Sequence, residues 1–138
     1  MIHEKDVIRM KIPYPGISDK LAVSSHMYIC KATSPEYEYI KCQTLKPYMM
    51  TKAVFRHYVD EAPDAARNPF QRVTRIDCDK TFTTVGVRYD DRLKTTIRPD
   101  VCQELYDEVI AELDAEGYVE IGLNADEMVS INAMVTKS

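Results

Sequence analysis

The stretch Arg72-Val73-Thr74-Arg75-Ile76-Asp77-Cys78-Asp79-Lys80-Thr81 alternates charged and apolar side chains from Arg75 to Asp79. Successive side chains of an extended strand point to opposite faces, so this period of two marks a half-buried β-strand. Arg75, Asp77 and Asp79 then share one side of it. Working outward, related patterns recur. Val7 to Ile12 alternates in part, and His26 to Cys30 (from as early as Ala22) and Tyr37 to Cys42 read as strands. Tyr118 to Leu123 alternates too, and Thr81 to Tyr89, rich in Thr, Val and Phe, fits a further short strand. Pro13-Tyr14-Pro15-Gly16 and Ser34-Pro35 break the runs, because proline removes a backbone donor and glycine permits a turn. Residues 54–59 fit either a strand or a turn or two of helix after Thr51, and Glu61 to Pro69 reads as a loop.

The clearest helix spans Asp100 to Glu116. Val101, Leu105, Val109 and Leu113 repeat every four residues as one apolar stripe, and Asp100 with Gln103 forms a capping-box pattern. Gly117 is placed to end it. A second short helix is expected from Asn124, with Met128, Ile131 and Val135 inward. Short strands followed by one amphipathic helix predict a mainly β, α+β fold. The expected form is a small, partly open antiparallel barrel with the helix packed over it. The 138 residues suit one domain, 1–138.

Hydrophobic residues make up 45% and charged residues 29%, a globular balance that excludes a disordered chain and a coiled coil. No apolar run approaches the roughly 20 residues of a membrane span, and the N-terminus lacks the apolar core of a signal peptide. A cytoplasmic protein is therefore expected. Cys30, Cys42, Cys78 and Cys102 include no C-x-x-C pair, so they read as reduced thiols packed as small hydrophobes rather than as a zinc site. Charge is unevenly distributed. Residues 1–99 carry 17 Lys or Arg against 12 Asp or Glu, whereas residues 100–138 carry 10 acids against Lys137 alone. A basic body can attract a polyanion, while the acids fit the solvated side of a surface helix.

Neither a phosphate-binding glycine loop nor a metal-protease or serine-hydrolase motif occurs. Any catalytic group must be assembled by folding. An arginine two residues from a carboxylate, as in Arg75 and Asp77, presents fixed positive charge and tunes the acid, or is an ordinary ion pair on a solvated strand. Gln43-Thr44-Leu45-Lys46 supplies amide, hydroxyl and ammonium groups at a strand end, suited to phosphate contacts or to capping a turn. His26 can carry protons at neutral pH or be structural. Tyrosines beside lysines, such as Tyr39 with Lys41, can stack on bases or be half-buried strand residues.

In order, these segments resemble the MazF/PemK/Kid family of toxins from bacterial toxin–antitoxin pairs. The opening strand of that family, followed by a Pro-bearing loop, is matched by Asp6 to Pro15. Its second strand is held here by Ser25-His26-Met27-Tyr28-Ile29-Cys30, and its third ends in Gln43-Thr44-Leu45. Val73-Thr74-Arg75-Ile76-Asp77 with Lys80-Thr81 is similar to the V-x-R-x-D strand of Kid-type members. The closing helix corresponds to residues 100–116, residues 48–70 stand as an insertion, and residues 118–138 as a C-terminal extension. The Arg-Pro that opens the family's second strand is missing.

The resemblance implies a dimeric SH3-like barrel that cuts single-stranded RNA sequence-specifically, without metal or cofactor, through attack of the ribose 2′-OH. It also implies a small antitoxin protein that neutralises the toxin. By the same resemblance Asp77 takes the proton, Arg75 serves the leaving side, Thr44 holds the phosphate, and His26 acts as acid or second donor. Lys20, Gln43, Lys46 and Lys80 would contact RNA. The missing Arg-Pro and the acidic extension suit an alternative, a non-catalytic protein- or RNA-binding domain on the same barrel.

Overall fold

The computed structural model describes residues 1–13, 24–51 and 55–138. The strands are β1 (Val7–Met10), β2 (His26–Ala32), β3 (Tyr37–Thr44), β4 (Tyr58–Glu61), β5 (Thr74–Asp77), β6 (Lys80–Thr84), β7 (Val87–Tyr89), β8 (Val119–Gly122) and β9 (Val135–Lys137). The helices are α1 (Pro47–Thr51), α2 (Gln103–Glu116) and α3 (Ala125–Ile131). The main sheet runs β1-β2-β3-β5-β4, all antiparallel, and β7 pairs with β9 in a second, two-stranded sheet. The architecture is mainly β within an α+β class, as the sequence predicts.

One junction shapes the sheet. β5 pairs with the end of β3, through Cys42 to Thr44, and β6 with its beginning, through Tyr37 to Tyr39. β5 and β6 thus follow one another along a single edge of β3, with a break at Cys78 and Asp79. Beyond them β4 flanks β5 and β8 flanks β6, the latter pair parallel. The Asp79 carboxylate accepts the backbone N–H groups of Arg56 and His57, and the Asp79 carbonyl accepts that of Val119. A single break therefore ties both outer strands to the sheet.

Alternation divides the core into two clusters. Val7, Ile29, Ile40, Cys42 and Ile76 face α2 and its buried Leu105, Val109 and Leu113. Ile8, Met10, Tyr28, Tyr39 and Phe82 face the other way, toward Met128 of α3 and Val135 of β9. Cys30, Cys42 and Cys78 are buried among these apolar groups, and desolvation pushes the Cys30 and Cys78 thiols up to about 12.

Several expectations are corrected. The sheet does not close into a barrel: β1, β4 and β8 are its edge strands, and among the described residues none of them pairs with another. The N-cap of α2 is Cys102, whose Sγ accepts the Leu105 N–H, and not Asp100. Asp100 instead bridges Asp6 and accepts from Arg98, so a competing partner replaces the capping box. Glu61, expected to open a loop, is instead the last residue of β4. The span expected as one strand from Thr81 to Tyr89 is split by Gly86, whose φ of 76° turns the chain between β6 and β7. Among the described residues no helix is long and apolar enough to cross a membrane.

Candidate functional site

The predicted site residues fall on two faces of one sheet. Thr44 lies opposite Thr74, and Gln43 lies opposite Arg75. Because neighbours along a strand point oppositely, Thr44 is on the α2 face, while Gln43, Arg75 and Asp77 are on the other. One residue of register separates the expected phosphate holder from the expected acid and base.

Arg75 is enclosed. Its Nε and Nη2 each donate to the Asp60 carboxylate at 2.8 Å, its Nη1 donates to the Met49 carbonyl at 3.2 Å, and its guanidinium lies 3.7 Å from the centre of the Tyr58 ring. Each guanidinium nitrogen donates one hydrogen bond, so Arg75 clamps α1 and β4 to β5. Asp77 is 1% exposed; one carboxylate oxygen accepts the Asp79 N–H at 2.8 Å and the other accepts Lys80 Nζ at 2.6 Å. A carboxylate so enclosed is out of reach of a substrate hydroxyl, which speaks against the base role the resemblance implies. The same pair commits Lys80. Lys46 is exposed just before α1, and Lys20 lies outside the described residues.

His26 and Thr44 border the same groove from different faces of the sheet, since His26 pairs with Met10 and so projects away from the face that carries Thr44. Both line a groove of about 200 Å³ together with Arg9, Arg72 and Thr74. A second hollow, of about 320 Å³, shares Arg9, Ser25, Met27 and Gln71 with it and reaches Arg92 and Lys94. The two are therefore lobes of one groove. It lies where the α2 face of the sheet runs on past Phe70, and β1, β2, β3 and β5 contribute Arg9, Met27, Thr44 and Thr74 side by side.

Its electrostatics are one-sided. Arg9 and Arg72 are exposed, and neither side chain is bonded to any described residue. Arg92 is paired with Asp90, and Lys94 with Asp6 at 3.2 Å, so these two contribute less. No Asp or Glu lines either lobe among the described residues. The His26 imidazole is held down to about 4, first by desolvation and then by the positive charges of Lys41 and Arg9. It is neutral at pH 7 and can accept a proton.

Arg9, Arg72 and Gln71 were not expected in the site. A signal for them existed, since Arg9 is the charged residue of an otherwise apolar strand and Arg72 opens the stretch that reads most plainly as β. What brings them together is the register of β1 on β2 and the path of the loop before β5, which no local pattern encodes. The chain matches no protein-family model and no curated protein.

Proposed function

We propose that the protein is a metal-free endoribonuclease of the MazF/PemK/Kid type, acting on single-stranded RNA laid along the Arg9–Arg72 groove. The observation that carries this is the groove wall itself: two arginines that no described residue pairs and a threonine hydroxyl, with a neutral histidine at the rim and no carboxylate among the described lining. Free guanidinium groups suit phosphate oxygens in geometry and charge. The order of the sheet strands, with β5 and β6 wrapping along one edge of β3, is compatible with the partly open SH3-like barrel of that family.

The chemistry asks little of the protein. The ribose 2′ oxygen attacks the adjacent phosphorus, its proton passes to a base, and the departing 5′ oxygen acquires a proton. Neutral His26, at the groove's rim where β2 begins, turns its imidazole into the groove to take the base role and returns the proton as imidazolium. Arg9 and Arg72 stabilise charge growing on the phosphoryl oxygens, and the Thr44 hydroxyl donates to one of them. A bound phosphate raises the His26 pKa toward neutrality, where a base works best. The antitoxin would be a small protein whose acidic side chains compete with RNA for the same two arginines. The protein itself would act as a homodimer, as in the family.

The test is incubation of the protein with a long single-stranded RNA in EDTA, followed by mapping of new ends. Discrete cuts should be made by the wild type and by Asp77→Asn, be lost in His26→Gln, and be weakened in Arg72→Ala. The enclosure of Arg75 and Asp77 favours a second reading, a non-catalytic RNA-binding domain on the same groove. Intact RNA together with salt-sensitive binding would select it.

A further inference from the structure

The two lobes of the groove differ in chemistry. The lobe at Thr44 and Arg72 is mostly polar. The larger lobe, about 320 Å³, is lined about equally by polar groups and by the apolar side chains of Met27, Pro69, Leu93 and Ile97, with Gln71 and Arg9 at the junction. A site for phosphate alone has no use for four apolar residues beside its arginines.

Resting on the RNA reading above, we infer that the larger lobe is a nucleobase subsite. It takes one unstacked base whose own phosphate lies on Arg9 and Arg72, and Gln71 reads that base's hydrogen-bonding edge. Three observations carry this. First, an unstacked base has apolar faces and a polar rim, and the lobe offers both in about equal measure, with Met27, Pro69, Leu93 and Ile97 beside Gln71 and other polar groups. Its volume stands at the lower end of small-ligand pockets, roughly 300–1,000 Å³, enough for one nucleoside. Second, the Gln71 side chain is exposed, bonded to no described residue, and shared by both lobes. An amide offers a donor and an acceptor side by side, which is what bidentate pairing with a base edge needs. Third, the other polar groups are fewer than they look. Thr95 Oγ1 is already bonded to the Arg98 carbonyl, Lys94 is paired with Asp6 and Arg92 with Asp90, which leaves Gln71, beside the short hydroxyls of Ser25 and Thr96, as the principal reader.

The shared ligand chemistry is a nucleotide, and its source is a single-stranded RNA or a free nucleotide. The experiment is fluorescence anisotropy with short labelled oligo-A, oligo-C and oligo-U, an abasic chain of equal length, and each nucleoside monophosphate as competitor. The wild type should bind its preferred oligomer on the order of tenfold more tightly than the abasic chain, the value of one well-read or well-stacked base. Gln71→Ala should compress the spread between bases to within about threefold while leaving the salt slope unchanged, as expected for loss of a base contact and not of a phosphate contact. Gln71→Glu, which keeps the shape and removes the donor, should reorder the preference.

Equal binding of every chain, abasic included, with no effect of Gln71→Ala, overturns the base subsite and leaves RNA binding standing. No binding of any chain overturns both. Monophosphates that compete as well as the oligomers overturn the polymer and assign the lobe to a free nucleotide. Gln71 is exposed, so its variants keep the fold, and unchanged circular dichroism checks this.

Discussion

Replacing Asp77 by alanine separates a structural role from a chemical one. The carboxylate is 1% exposed and holds two partners, the Asp79 N–H at 2.8 Å and Lys80 Nζ at 2.6 Å. Losing the hydrogen bonds to a charged acceptor costs about 1.5–3 kcal/mol each, and breaking a buried pair costs about 3–5 kcal/mol. Lys80 keeps 26% of its side chain exposed, so it can turn to water, and the lower part of that range applies. The expected loss is therefore about 3 kcal/mol. With a urea slope of about 2 kcal/mol/M the unfolding midpoint falls by about 1.5 M. The effect spreads, because the break that Asp77 orders also anchors β4 through Asp79 and β8 through the Asp79 carbonyl. The assay is urea unfolding followed by circular dichroism, run beside RNA cleavage on the folded fraction. Asp77→Asn, which retains an acceptor for the Asp79 N–H, should lose less stability and keep activity per folded molecule. An Asp77→Ala protein as stable as the wild type yet unable to cleave would refute this reasoning, since it would place the carboxylate in the chemistry.

Other consequences are as direct. His26 titrates near 4 in the folded chain against an ordinary value of 6.5, so between those values the unfolded chain binds more protons and stability falls as pH drops through the window. His26→Gln should flatten that acid limb in pH-dependent unfolding. Arg9→Ala and Arg72→Ala should each reduce the slope of log Kd against log salt by about one, whereas Lys80→Ala, whose charge is spent on Asp77, should leave it unchanged. Gly117 ends α2 at φ 78° with nothing within 4 Å of an added Cβ, so Gly117→Ala should cost about 1 kcal/mol from the backbone alone, measured by thermal unfolding. Lys5 holds φ 77° without being glycine, and Lys5→Gly should raise stability by about 1 kcal/mol in the same assay.

Strands and helices were legible wherever one face is dry and the other wet. β3 and α2 show this: buried Cys42 lies between half-exposed Lys41 and Gln43, and Leu105, Val109 and Leu113 repeat at helical spacing. Asn124 was legible as a cap for α3 because its side chain bonds the Glu127 N–H three residues on, a local event. The cap of α2 was not, because Asp100 has two competitors distant in sequence or aligned by the fold, Asp6 and Arg98, and Cys102 takes its place. The grouping of Arg75 with Asp77 on one side was also legible from the period of two, and it holds.

Local pattern determined where the chain extends, where it coils, which residues on each strand share a face, and that the basic residues lie ahead of the acidic helix. Tertiary structure decided which faces meet. Placing Thr44 opposite Thr74 put the hydroxyl on the α2 face and sent Arg75 and Asp77 to the other, where Asp60, Tyr58 and Lys80 consume them. The same registers brought Arg9, His26 and the adjacent Gln71 and Arg72 from three separate segments to one groove. Pairing between strands is set by contacts summed over the whole sheet, and a shift of one residue exchanges its faces, so no single segment contains that information.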